Sequence, residues 1–163
     1  MKTHDEILVL DFGSQYTQLI ARRVRECRVY CEILPYHASL EVLRRRKPKG
    51  LILSGGPQSV LSPDSPACDA GVFSLGVPVL GICYGMQLMT RELGGRVGRG
   101  EHREYGKTEI RIQIPGLLLD GLPERTVVWM SHGDHVQDPP AGFAVTAASE
   151  HIAAAFADER RRL

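Results

Sequence analysis

One segment constrains this chain more than any other. Val77-Pro-Val-Leu-Gly-Ile82 is an apolar run of strand length, and Tyr84 to Leu93 is amphipathic at helical spacing, with only Cys83 between them. Gly94-Gly95 closes the helix. A strand that becomes a helix across one residue must bend sharply, and Gly81 and Gly85, two positions either side of Cys83, suit such a bend. Gly-x-Cys-x-Gly in this setting is a cysteine form of the nucleophile elbow. The apical residue holds a strained backbone and projects its side chain at the C-terminal edge of a sheet. Unpaired amides and the helix dipole there are expected to favour thiolate over thiol. The competing reading is a buried core cysteine, the usual fate of a free thiol. The flanking glycines and the junction favour the nucleophile. Gln87 lies one turn along the same helix face, where its amide can bind a polar substrate or face solvent.

The rest of the N-terminal half alternates strand and helix. Glu6 to Leu10 is a strand running into the turn Asp11-Phe-Gly-Ser14, and Gln15 to Glu26 is a helix with Tyr16, Leu19, Ile20 and Val24 as its apolar stripe. Val29 to Leu34 and Gly50 to Leu53 are strands, with a helix from Leu40 to Arg46 between them. This rhythm predicts an α/β fold, a parallel sheet with helices on both faces. Past Gly95 the rhythm changes: Lys107 to Ile114, Thr126 to Met130, Phe143 to Ala147 and Ile152 to Ala157 follow with no long helix between them. They predict an antiparallel addition, making the sheet mixed. No internal repeat or interdomain linker is visible.

At 163 residues the chain fits one ordinary domain, and 43% hydrophobic with 24% charged residues is a globular balance. A formal charge of +1 provides no field for nucleic acid or anionic lipid. The basic run Arg44-Arg-Arg-Lys47 lacks interleaved aromatics and reads as a solvated helix end, its cations near the negative end of the dipole; Arg160-Arg-Arg162 reads the same way. No apolar stretch reaches membrane-spanning length and the N-terminus is not a signal peptide, so the expected location is the cytoplasm. Cys27 and Cys31, separated by three residues, have no second pair at zinc-site spacing, so no metal is expected. Cys27, Cys31 and Cys68 read as structural thiols.

Two further strand ends carry chemistry. Leu53-Ser-Gly-Gly-Pro57 places paired glycines where open α/β sheets bind ligands. The Gly56 amide, with that of Tyr84, can form an oxyanion hole, worth about 3–4 kcal/mol per donor. A phosphate loop is disfavoured, since neither Gly-Lys-Ser/Thr nor G-x-G-x-x-G is present; a plain turn is the remaining alternative. Trp129-Met-Ser-His-Gly-Asp-His-Val136 reads as a strand ending in a polar turn. His132 and His135 there can be ligands, bases or surface residues, and without a third ligand a substrate-contacting loop is favoured over a metal site.

Together, Leu53-Ser-Gly-Gly-Pro, Gly81-Ile-Cys-Tyr-Gly-Met-Gln and Met130-Ser-His-Gly-Asp resemble the class I glutamine amidotransferases. Asp11 to Arg23 and Glu104-Tyr-Gly-Lys107 narrow the resemblance to the glutaminase domains of the GMP synthase family, over essentially the whole chain. The resemblance implies a flavodoxin-like fold and glutamine hydrolysis through a thioester on Cys83. It implies an oxyanion held by the Gly56 and Tyr84 amides, and glutamine positioned by Gln87 and by Ser131, His132, Gly133 and Asp134. Ammonia would pass to a synthetase domain that uses ATP and magnesium to aminate XMP. A homodimer formed through that domain is compatible with the resemblance. No cofactor is expected in the glutaminase domain.

Two departures matter. The family completes its triad with a His-Pro-Glu motif on a later strand, and that motif is absent from the sequence, as is the Ser-Gly-Gly-Val-Asp-Ser pattern of the synthetase. The expectation is therefore a piece of a longer protein, ending at Leu163 shortly before the motif is due, with hardly any turnover alone. His132 is the alternative base within the chain, although the resemblance gives its loop a binding role. Two other functions stay open: the glutaminase of anthranilate or aminodeoxychorismate synthase, disfavoured by Asp11-Phe-Gly-Ser-Gln15, and a non-catalytic partner-binding module that has lost its triad.

Overall fold

A computed structural model describes residues 5–150 and 152–163, and the backbone alone at 101–105 and 132. The chain divides into two compact units, one running to Met89 and carrying Leu163, the other spanning Thr90–Arg162.

The first unit is built on β1 (Glu6–Asp11), β2 (Tyr30–Pro35), β3 (Gly50–Leu53) and β4 (Val79–Gly81). They form a wholly parallel sheet in the order β2-β1-β3-β4. In the central β1, Leu8, Val9 and Leu10 are all fully buried, the continuous apolar run of a strand covered on both faces. Helix α1 (Thr17–Glu26) follows β1 and α2 (Leu40–Arg46) follows β2. The buried stripe of α1 differs from the expected one. Thr17 and Ala21 are buried, whereas Tyr16 and Leu19 are 44% and 45% exposed. Small side chains let the helix lie close to the sheet, and the Thr17 hydroxyl is satisfied there by donating to the Asp11 carboxylate at 2.7 Å. Helix α2 is capped by Ser39, whose hydroxyl accepts from the Val42 N–H, and its last turn carries Arg44, Arg45 and Arg46, in keeping with the dipole. Arg46 pairs with Glu6 and, at 2.9 Å, with Glu32, so this part of the basic run joins helix to sheet. A short 3₁₀ turn, Ala70–Ser74, precedes β4, and α3 (Tyr84–Glu92) follows it.

The second unit is antiparallel, as expected for the C-terminal half, and its strands form a sheet of their own. β5 (Arg96–Ile112) and β6 (Arg125–Asp138) make a long hairpin, joined through the one-turn helix α4 (Gly116–Leu119). β7 (Ala144–Ala148) and β8 (Ala153–Ala157) complete the order β6-β5-β7-β8. Ile110, Ile112, Met130 and Ala147 form its core, with Leu119, Val128, Ala154 and Ala155 packed against them. Both hairpin strands extend well beyond the predicted segments. Among the described residues, no helix is long and apolar enough to cross a membrane.

Candidate active site

Because β1, β3 and β4 are neighbours and parallel, the turns that follow Asp11, Leu53 and Gly81 meet at one sheet edge. Cys83 sits in the last of them with φ +52°, a left-handed conformation that costs an L-residue about 1–2 kcal/mol. The bend is held from both sides. The Ile82 N–H donates to the Leu53 carbonyl at 2.9 Å, and the Gly85 N–H is shared between the Ser54 and Ile82 carbonyls at 3.1 and 3.0 Å. The Gln87 N–H donates to the Cys83 carbonyl at 3.0 Å, so helical bonding begins at the apex itself.

The flanking glycines are dictated by contact. A Cβ on Gly81 would lie 2.7 Å from the Gly85 carbonyl and the Met86 nitrogen, and one on Gly85 would lie 2.6 Å from the Leu53 Cβ. The strand, the helix start and β3 close over one another at these two points, leaving no room for a methyl group.

The Leu53-Ser-Gly-Gly-Pro57 turn packs beside the elbow. The Cβ position of Gly55 is 3.5 Å from the Cys83 Cβ and 3.5 Å from the Ser14 hydroxyl oxygen. A Cβ on Gly56 would meet the Phe12 carbonyl oxygen at 2.7 Å. Gly56 is half-buried, and its N–H has no hydrogen-bond partner among the described residues. A free donor at this edge is what a developing oxyanion requires. The second expected donor, the Tyr84 N–H, is directed at the Cys83 thiol. The Tyr84 side chain is buried against Phe12, ring centroids 5.4 Å apart, and its hydroxyl donates to the Pro66 carbonyl at 2.5 Å. Gln87 is 4% exposed, which excludes the solvent-facing alternative.

The expectation of a ready thiolate is not met. Burial pushes the Cys83 thiol above the ordinary cysteine range, and the Tyr84 N–H counteracts this only in part. One amide at a helix start does not offset desolvation of the sulfur. Cys31 and Cys68 are buried, and Cys27 is exposed.

The third expected segment is also corrected. Ser131, Gly133 and Asp134 do not form a loop: they lie inside β6, which continues to Asp138. Opposite them, Arg99 pairs with Asp134 and Glu104 with residue 132, so β5 accommodates a large bulge at this point. The polar, glycine-containing sequence reads as a turn, but glycine within a strand equally marks a bulge. Ser131 is exposed, while Gly133 and Asp134 are half-buried. His135 is half-buried in the same strand, its buried Nδ1 without a partner among the described residues. The side chain of His132 and those of Glu104 and Tyr105 lie outside the described residues.

The first unit thus gathers Cys83, Tyr84, Gln87, Gly81, Gly85 and Gly56, whereas Ser131 to Asp134 belong to the second. Sequence reasoning passed over Ser14, which the structure brings beside Gly55, and the Ser54 hydroxyl, which lies buried beneath the turn. The only available signal was their place in the turns that follow strands.

Known proteins resemble this chain in sequence and fold. The family model for glutamine amidotransferase class-I matches residues 8–162. GMP synthase (glutamine-hydrolyzing) of Campylobacter lari is 56% identical over 96% of this chain and 31% of its own length, and that of Parafrankia is 55% identical over 98% of the chain and 30% of its own. The chain spans under a third of the length of these curated relatives. The crystal structure of a putative GMP synthase subunit from Thermoplasma acidophilum superposes with a TM-score of 0.82 at 28% identity, covering 98% of this chain and 80% of that one. With a left-handed cysteine between two obligatory glycines, and with a family match running over almost every residue, the chain belongs to the class I glutamine amidotransferases.

Proposed function

We propose that this chain is the glutamine-hydrolysing domain of a GMP synthase. The observation that carries the reading is the strained Cys83 packed against the Gly55-Gly56 turn, whose half-buried Gly56 N–H has no partner among the described residues. The Cys83 sulfur attacks the γ-carbonyl carbon of glutamine. The Gly56 and Tyr84 amides receive the oxyanion as the C–S bond forms. The C–N bond then breaks, nitrogen takes a proton and leaves as ammonia, and water cleaves the thioester to glutamate, restoring the thiol. Gln87, buried one turn beyond the elbow, holds the substrate.

Because burial keeps the thiol protonated, a base must first take its proton. In the family this is the histidine of His-Pro-Glu, a motif these 163 residues do not contain. Ammonia would then be used by a synthetase part that draws on ATP and magnesium to convert XMP to GMP. Relatives at 55–56% identity named GMP synthase support this acceptor over that of anthranilate or aminodeoxychorismate synthase. The strained cysteine speaks against a binding module, which gains nothing from it.

A glutamine-like chloroketone, applied at a pH high enough to ionise Cys83 without a base, tests the reading. The expected result is a mass adduct on Cys83 that glutamine prevents. No adduct, or adducts spread over Cys27 and Cys68, would overturn it.

A further inference from the structure

The Ser54 hydroxyl is fully buried and doubly engaged. It accepts from the Phe12 N–H at 2.9 Å and lies 2.8 Å from the Gly55 carbonyl oxygen. A hydroxyl has one proton to give. With the amide already donating to the oxygen, that proton goes to Gly55. The Gly55 carbonyl and the Gly56 N–H belong to one peptide unit, planar and trans, so the two groups point in opposite directions. Fixing the carbonyl inward therefore aims the Gly56 N–H outward. The Phe12 carbonyl, 2.7 Å from where a Gly56 Cβ would stand, limits movement from the other side.

We infer that Ser54 is a positioning residue: through the Gly55 carbonyl it orients the peptide whose N–H stabilises the oxyanion during acylation of Cys83. The inference rests on the glutaminase reading above. It separates Ser54 from a residue that merely packs, because only reactions passing through a tetrahedral oxyanion use that N–H. Direct alkylation of the sulfur by iodoacetamide forms no oxyanion and depends on the thiol alone.

The test compares these two reactions at Cys83 in the parent chain and in Ser54→Ala. Acylation is followed with γ-glutamyl p-nitrophenyl ester as a burst of nitrophenolate, and alkylation by mass spectrometry. The expected result is acylation slowed about tenfold or more, short of the roughly 10²–10³ for losing an oxyanion donor outright, with alkylation unchanged. Ser54→Thr, which keeps the hydroxyl, should restore acylation. Equal acylation in Ser54→Ala, or a parallel fall in both reactions, would overturn the inference while leaving the glutaminase reading standing. Should Ser54→Ala fail to fold, Ser54→Cys, a weaker donor at the same place, is read by the same two rates. A parent chain that the ester does not acylate at Cys83, at a pH where iodoacetamide alkylates that thiol, overturns the glutaminase reading, and the inference with it.

Discussion

Replacing Cys83 by glycine and by alanine should reverse the order these residues show in a helix interior. In ordinary helical backbone, alanine is the more stable by about 0.5–1 kcal/mol, because glycine loses more freedom on folding. At φ +52° the balance changes. Cys83→Ala keeps a Cβ in the left-handed region, at a cost of about 1–2 kcal/mol, whereas Cys83→Gly removes that cost altogether. Both variants lose the same sulfur and its burial, so those contributions cancel in the comparison. Subtracting glycine's entropic penalty, at the midpoints of the two ranges, leaves Cys83→Gly the more stable by about 0.75 kcal/mol. In a chain of 163 residues that corresponds to about 1–4 °C in Tm. Urea and thermal denaturation of the two variants, followed by circular dichroism in one buffer, measure the difference. Cys83→Ala equal to or above Cys83→Gly would show that the backbone at 83 is not strained, and the elbow argument would fail with it.

Four further outcomes follow from the same structure. Gly85→Ala forces a methyl to within 2.6 Å of the Leu53 Cβ and against β3 backbone, and should destabilise by about 3 kcal/mol in urea denaturation. The rate of Cys83 alkylation against pH should inflect above the ordinary cysteine range, since burial holds the thiol protonated; an inflection below that range would contradict the geometry. The Asp158 carboxylate is held below the usual carboxylate range by the Arg161 backbone N–H and then by its guanidinium. Its stabilising effect should be complete above the unfolded carboxylate pKa and lost as pH falls through the lower folded value; Asp158→Asn should flatten this part of an acid-denaturation profile. Trp129, the sole tryptophan, is 64% exposed, so its fluorescence should be red-shifted and readily quenched by iodide.

The legible parts of this protein were those in which one chemical requirement acts on neighbouring residues. Gly81 and Gly85 bracket Cys83 because the bend leaves no space for a methyl group, and that restriction is written within five consecutive positions. The apolar runs of β1 and β3 and the antiparallel C-terminal half were visible for the same local reason. What the sequence could not decide depended on residues distant along the chain. The polar stretch from Ser131 to Asp134 is strand because β5 bulges opposite it, and a bulge in one strand is invisible from its partner. The stripe of α1 shifted toward Thr17 because Asp11 was there to accept its hydroxyl. The thiol of Cys83 stays protonated because surrounding structure removes water from it, which no dipeptide rule can report. Ser54 acquired its place only when Phe12, 42 residues earlier, brought an amide to its oxygen. The sequence alone determined where the chain must bend and which atom the bend exposes; burial and the partners across the sheet, which arise only in the folded chain, decided that atom's charge and the aim of the amides around it.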